Sequence, residues 1–132
     1  MQFLPVILFV LGAAMAFSTG TSWGTFGIML PIAAAMAANT APELLLPCLS
    51  AVMAGAVCGD HCSPVSDTTI LSSTGAKCNH IDHVTTQLHY AATVATATSI
   101  GYIVVGFTYS GLAGFAATAV SLIVIVFAVK KR

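Results

Sequence analysis

Two acidic residues, Asp60 and Asp67, lie on either side of Pro64 shortly after a long apolar run. They are two of only eight charged residues in a chain of 132. A carboxylate inside a membrane costs roughly a few kcal/mol or more, so it indicates a functional site. One carboxylate can bind a small cation or a proton but not both well, so the pair predicts a site where Na⁺ and H⁺ compete. The alternative for Asp67 is that it caps the helix following the proline.

Hydroxyl side chains cluster around these acids and in a second short segment. Of the 24 Ser and Thr residues, twelve lie within residues 18–25 and 63–74. A single hydroxyl in a helix often bonds to its own backbone, so the clustering is the informative signal. Breaks in membrane helices expose helix ends and oxygen atoms that can hold a small cation. The candidate ligands are Ser18, Thr19, Thr21 and Ser22 in one segment and Ser63, Ser66, Thr68 and Thr69 in the other.

His61 follows Asp60 directly and is a candidate proton relay, with a purely structural histidine as the alternative. A solvated surface is the expectation for His80, Asp82 and His83. A zinc site is a further alternative, but the chain has no regular Cys-x-x-Cys pair of the kind that such sites use. We therefore expect buried free thiols and no transition metal. The residues of the zinc alternative are Cys58, His61, Cys62, Cys78, His80 and His83.

The composition indicates that lipid surrounds the chain. It is 58% hydrophobic and 6% charged, with a mean hydropathy of +0.97, whereas soluble domains carry about 25% charged residues. The first charged residue is Glu43. These values exclude a soluble enzyme, a disordered tail and a nucleic-acid binder, which would need a basic patch. The prediction is an all-α integral membrane protein forming a single membrane domain over residues 1–132.

Residues 1–42 are predicted to form a re-entrant helical hairpin. The apolar runs 3–17 and 28–38 are short for a membrane crossing, which takes about 20 residues. Residues 18–27 between them are rich in glycine and hydroxyls, and such backbone survives in a membrane only when protein or water covers it. A single kinked helix over 3–38 is the alternative. The start resembles a signal peptide only weakly, since no basic residue follows Met1, and is expected to remain part of the structure.

Residues 43–76 are predicted to form one membrane helix broken near its centre at Pro64. Two further membrane helices are expected over 84–107 and 112–129. Paired glycines four residues apart, Gly20 with Gly24 and Gly55 with Gly59, predict close helix packing.

Basic residues predict the orientation of these helices. The positive-inside rule places Lys77 and the C-terminal group of Lys130, Lys131 and Arg132 in the cytoplasm. The hairpin then begins and ends on the outer side of the membrane.

Two motifs are similar to the C-terminal half of NhaC-family Na⁺/H⁺ antiporters. They are FSTGTSWGTFGIMLPI at 17–32 and GDHCSPVSDTTILSS at 59–73, and the similarity continues through NHIDHVTTQL at 79–88. The resemblance covers roughly residues 17–107. It implies one repeat of an inverted-repeat transporter, with a re-entrant hairpin and a broken helix in each repeat. His89 departs from the family pattern, because relatives tend to have proline before Tyr90.

The resemblance assigns the hairpin tip to Ser18–Gly24, including Trp23, and the cation signature to the broken helix. That signature falls on Gly59, Asp60, Ser63, Pro64, Ser66, Asp67, Thr68 and Thr69.

The expected activity is Na⁺/H⁺ antiport across the bacterial cytoplasmic membrane, without enzymatic activity and with no cofactor besides the transported ions. Sodium-coupled exchange of malate or lactate is the alternative within the family. The predicted spans contain no basic residue that could bind a carboxylate, which favours exchange of cations only. An inactive truncated fragment is a third interpretation. The expected partners are the lipid bilayer, the missing N-terminal half or another transporter subunit, and further copies of the chain, but not nucleic acid.

Overall fold

A computed structural model describes residues 1–130, so the part of the orientation prediction that rests on Lys131 and Arg132 lies outside the described residues. Within 1–130 the structure is entirely helical, as predicted. A short 3-10 helix, Pro42–Leu44, precedes the third of six α-helices. These helices are α1 Leu4–Thr19, α2 Ser22–Thr40, α3 Leu45–Cys62, α4 Asp67–Gly75, α5 His80–Thr108 and α6 Gly111–Lys130.

Three helical segments are long and apolar enough to cross a membrane. They are Pro42–Cys62, His80–Thr108 and Gly111–Ala128, and α1 is a shorter apolar helix. The side chains of α6 are largely exposed and apolar, as Leu112, Phe115 and Phe127 illustrate. An apolar surface of this kind suits lipid contact, and the chain is an integral membrane protein.

The chain reverses direction between α1 and α2. Gly20 ends α1 in the left-handed conformation, with φ of 68°, which glycine adopts without a steric penalty. Leu4 and Leu8 then share a buried cluster with Ala37 and Leu44, so the start of α1 lies beside the end of α2. The two helices therefore form a helical hairpin rather than one kinked helix. Its re-entrant position in the membrane stays a prediction.

The hairpin tip is shorter than predicted. Only Gly20 and Thr21 lie between the helices, and residues 22–27 form the first turns of α2. Thr21 makes this possible, because its side chain accepts a hydrogen bond from the Gly24 amide at 3.3 Å and so caps the helix.

Glycines bring α1 and α3 into close parallel contact. A Cβ on Gly55 would overlap the Phe9 carbonyl, and one on Gly59 would overlap the Ala13 carbonyl. Both pairs have the same separation along the chain, so the helices run side by side in the same direction. The predicted packing role of the Gly55–Gly59 spacing is confirmed.

The broken helix consists of α3 and α4, separated by residues 63–66. After α4 the chain enters α5 at His80, four residues before the predicted start. Asn79 causes the early start, since its side-chain oxygen accepts hydrogen bonds from the Ile81 and Asp82 amides at 2.9 and 3.4 Å.

Helix α5 packs along both α1 and α6. The rings of Phe9 and Tyr102 lie 5.5 Å apart, and Ser121 on α6 donates a hydrogen bond to the Ala97 carbonyl at 3.4 Å. The apolar core lies at the open end of the hairpin, around Leu4, Leu44 and Val52. The polar break in α3 and α4 lies at the opposite end, beside the hairpin tip.

Candidate functional site

The hairpin tip and the helix break meet directly. The buried Ser63 hydroxyl donates a hydrogen bond to the Phe17 carbonyl at 2.7 Å. A Cβ on Gly20 would lie 2.8 Å from the Val65 carbonyl oxygen, so only glycine lets the two backbones approach this closely. The structure thus brings together the two segments in which the hydroxyls are concentrated.

Asp60 is the acid that the structure places within the break. Its half-buried carboxylate accepts a hydrogen bond from the Ser66 hydroxyl, with the two oxygens 2.7 Å apart. Ser66 is buried, and its hydroxyl oxygen is 2.9 Å from that of Thr68. We call Asp60, Ser66 and Thr68 the Asp60 cluster. It presents a carboxylate and two hydroxyls, which are the oxygen ligands that hard cations prefer.

Asp67 occupies a different environment. It is exposed and is the first residue of α4, whereas Ser66 holds the cap position, so the capping interpretation of Asp67 is wrong. Its side chain makes no hydrogen bond to any other residue within 1–130. A negative charge there stabilises the positive end of the α4 dipole.

Backbone carbonyls freed by the break are bonded to side chains of later helices. The His61 carbonyl accepts from the Thr69 hydroxyl at 3.2 Å and from the Gln87 amide at 2.7 Å. The Pro64 carbonyl lies 2.8 Å from Nε2 of His80. These carbonyls are therefore satisfied by the protein itself, and Thr69 serves the backbone rather than the Asp60 cluster.

The hydroxyls of the hairpin tip are bonded locally. Ser18 and Thr19 both donate to the Met15 carbonyl at 2.9 Å, and Thr21 caps α2. Ser22 is half-buried, and its hydroxyl has no partner in the described part of the chain. The structure does not join any of these four to the Asp60 cluster. Trp23 does not pack the tip but is 82% exposed, with its ring against Phe26.

The proposed relay role of His61 stays a prediction. Its exposed ring forms no hydrogen bond to Asp60 and lines a cavity of about 440 Å³ between α3 and α5, together with Gln87 and Tyr90. The residues of the zinc alternative are not gathered either. Among residues 1–130, no three His, Cys, Asp or Glu side chains are grouped so that they could hold a metal ion.

His80 and Gln87 are the contacts that sequence reasoning missed. His80 was expected at a solvated surface, but it is half-buried with both ring nitrogens in hydrogen-bond contact, so that expectation is wrong. Gln87 donates to the α3 terminus, while its buried oxygen lacks a partner in the described chain. Both reach the break from at least 16 residues away. In the sequence, the signal for these two contacts was a polar side chain in a mostly apolar helix.

The sequence profile of the Na⁺/H⁺ antiporter family matches residues 1–107. The chain belongs to this family. Its members are transporters rather than enzymes, which fits an apolar helical chain with a polar site at a helix break.

Three relatives of the family show how much of such a protein the chain spans. An uncharacterised protein of Haemophilus influenzae is 98% identical over all 132 residues, which make up 25% of its length. The malate-2H⁺/Na⁺-lactate antiporter of Bacillus subtilis is 34% identical over 84% of the chain and 25% of its own length. An uncharacterised Na⁺/H⁺ antiporter of H. influenzae is 32% identical over 82% of the chain and 23% of its length. The chain therefore spans about a quarter of these relatives. No solved structure matches it.

Proposed function

We propose that the chain forms the ion-binding part of a Na⁺/H⁺ antiporter of the bacterial cytoplasmic membrane. The observation that carries this proposal is the Asp60 cluster, which lies at the break of an apolar helix and beside the tip of a helical hairpin. Family membership supplies the reaction class, and the cluster supplies a chemical reason for exchange.

The cluster can hold a cation or a proton in turn. With Asp60 ionised, its carboxylate and the oxygens of Ser66 and Thr68 offer three ligands to Na⁺, and the other part of the transporter supplies the remainder. Protonation of Asp60 removes the negative charge that attracts the cation. Because one charge serves both ions, binding of one releases the other, and movement of the site between the two membrane faces gives antiport.

Asp67 has a supporting role in this proposal. Its exposed charge at the start of α4 raises the local concentration of cations without binding the ion directly. Asp60 is therefore the essential acid in this proposal. Na⁺ binds at Asp60 alone, rather than at both Asp60 and Asp67 as the sequence predicted.

The arrangement of the chain in the membrane is part of the same proposal. The chain is not helical at residues 20–21 and 63–66, and backbone of this kind lies at membrane depth only where protein or a water-filled cavity covers it. We propose that the hairpin is re-entrant from the outer side, that the C-terminus is cytoplasmic, and that the rest of the transporter covers the site as an inverted repeat. Such a cover is consistent with the exposure of Thr68 and Asp67.

Sodium-coupled exchange of organic acids is the second candidate. It is favoured by the B. subtilis relative, whose name specifies malate, lactate, Na⁺ and protons. The same Asp60 cluster would then bind the coupling cation, and the acid would be held elsewhere.

The test is Na⁺-dependent proton flux in proteoliposomes that contain the full-length protein, meaning these 132 residues joined to the rest of an antiporter of the relatives' length. Asp60→Asn should abolish flux. Asp67→Asn is the matched control, with maximal flux retained and a higher Na⁺ concentration at half-maximal rate. Flux that survives in Asp60→Asn would refute the assignment, and flux driven by lactate or malate but not by Na⁺ alone would favour the second candidate.

A further inference from the structure

A cavity of about 610 Å³ lies between the start of α3, the end of α5 and the start of α6. Sites that hold small molecules have volumes of about 300–1,000 Å³. None of its lining residues belongs to the Asp60 cluster, which lies at the other end of α3. We call it the Glu43 cavity. Leu46 and Phe115 line it and are largely exposed, so the cavity opens onto the apolar surface of the chain.

The length of the Glu43 cavity matches the depth of one leaflet of a membrane. Glu43 and Tyr109 lie at its mouth, beside the first residue of the apolar segment Pro42–Cys62 and the last residue of α5. Thr98 lines its inner end on α5. The rise of 1.5 Å per helical residue places Thr98 about 16 Å from Tyr109 along the helix. The hydrocarbon core of a bilayer is about 30 Å thick, so the cavity extends through about half of it.

The chemical character of the cavity changes from the mouth to the inner end. Glu43 carries the only charge among the lining residues, and Tyr109 near it is half-exposed. Tyrosine is common where a membrane protein meets the water interface. Further in, Val105 presents hydrocarbon, and the hydroxyls of Ser50 and Thr118 donate to carbonyls of their own helices at 2.9 Å. The cavity therefore has a charged mouth and a mostly apolar interior.

The charge at the mouth selects the kind of headgroup that fits there. No basic side chain lines the cavity in the described part of the chain. Lys77 precedes α5, and Lys130 ends α6, whereas the cavity lies at the end of α5 and the start of α6. A lipid whose headgroup has a net negative charge would therefore be repelled by Glu43 and would find no basic partner in these helices. A lipid ammonium group would instead be attracted to the Glu43 carboxylate.

We propose that the Glu43 cavity binds an aminophospholipid such as phosphatidylethanolamine, with the ammonium group at Glu43 and one acyl chain along α5 and α6. The carboxylate matches the ammonium group, the apolar interior matches the acyl chain, and the length matches one leaflet. This inference concerns lipid binding and does not depend on the proposed antiport. A helix from the rest of the transporter is the other occupant, which the second test below distinguishes from a lipid.

The first test compares two lipids with identical acyl chains, phosphatidylethanolamine and phosphatidylglycerol, on the delipidated full-length protein in detergent. Native mass spectrometry over a series of lipid concentrations gives the dissociation constant of each lipid. The unmodified protein should bind phosphatidylethanolamine more tightly by about threefold to fivefold, as expected for an exposed ion pair. Glu43→Gln should remove this preference, whereas Asp82→Asn, at an exposed acid near the other end of α5, should retain it. Equal binding of the two lipids to the unmodified protein, or the same preference in Glu43→Gln, would overturn the proposal.

The second test fills the cavity. Ser50→Phe adds a ring to its inner part, and Met53→Phe is the matched control, because Met53 is exposed on the same helix and lies outside the cavity. Ser50→Phe should weaken binding of phosphatidylethanolamine at least threefold, and Met53→Phe should not. Added phosphatidylethanolamine should raise the thermal unfolding midpoint of Met53→Phe more than that of Ser50→Phe, because a ligand of the folded state stabilises it. If Ser50→Phe unfolds at a lower temperature than Met53→Phe but binds the lipid equally well, a helix of the transporter occupies the cavity and the proposal is refuted.

Discussion

Substitution of Gly59 by alanine tests the contact that places Asp60 beside the hairpin. A Cβ at this position would overlap the Ala13 carbonyl and lie 2.9 Å from the Phe17 amide nitrogen. Neither backbone atom can rotate away, so α1 and α3 must separate. Such separation would also strain the 2.7 Å hydrogen bond between Ser63 and the Phe17 carbonyl.

The size of the effect follows from two opposing terms. Overpacking costs about 1–3 kcal/mol, whereas replacing glycine by alanine in a helix stabilises by about 1 kcal/mol. Gly27→Ala isolates the second term, because Gly27 lies in α2 with no atom within 4 Å of an added Cβ. Gly59→Ala should therefore be less stable than Gly27→Ala by about 1–3 kcal/mol.

Thermal unfolding of the detergent-solubilised full-length protein compares the two variants. The midpoint of Gly27→Ala should equal or exceed that of the unmodified protein, and the midpoint of Gly59→Ala should lie below both. If the two alanine variants unfold together, α1 and α3 do not pack through Gly59, and the position assigned to the hairpin tip is incorrect.

Two further substitutions test the break itself. Ser63→Ala removes the buried hydroxyl that donates to the Phe17 carbonyl and should cost about 1–3 kcal/mol of stability. The same unfolding assay should show little change for Ser72→Ala, and a stable Ser63→Ala would contradict the contact between tip and break. Thr68→Val removes one hydroxyl of the Asp60 cluster while keeping the side-chain shape. It should raise the Na⁺ concentration at half-maximal flux by about tenfold, whereas Thr74→Val, at an exposed position on the same helix, should not; equal values for the two would remove Thr68 from the site.

Local sequence signals predicted the main divisions of this fold. Pro64 and the polar residues around it predicted a break at Pro64, and the structure has residues 63–66 between α3 and α4. The glycine and hydroxyl residues after position 17 predicted the hairpin tip. Both predictions depend on residues that determine the conformation of the backbone at their own position. The boundaries were less accurate, because single side chains decide them: Thr21 caps α2 early, and Asn79 starts α5 at His80.

The candidate site was only partly predictable, since it depends on contacts between distant residues. Asp60 and Ser66 are close in sequence, and their role was proposed from composition. The hydroxyls of Ser18 and Thr19 had the same appearance in the sequence, yet they bond to the preceding turn. Nothing local shows that His80 returns to the Pro64 carbonyl, because that contact requires the chain to turn after α4 and bring the start of α5 back to the break.

The central claim is that Na⁺ and a proton compete for Asp60, and Na⁺ binding to the purified full-length protein tests it most directly. Calorimetric titrations at a series of pH values should show affinity falling as pH is lowered, by up to tenfold per pH unit where one proton must leave for each Na⁺ bound. Proton release should accompany binding, and both effects should be absent in Asp60→Asn. Na⁺ binding that is independent of pH, or that persists unchanged in Asp60→Asn, would contradict the account.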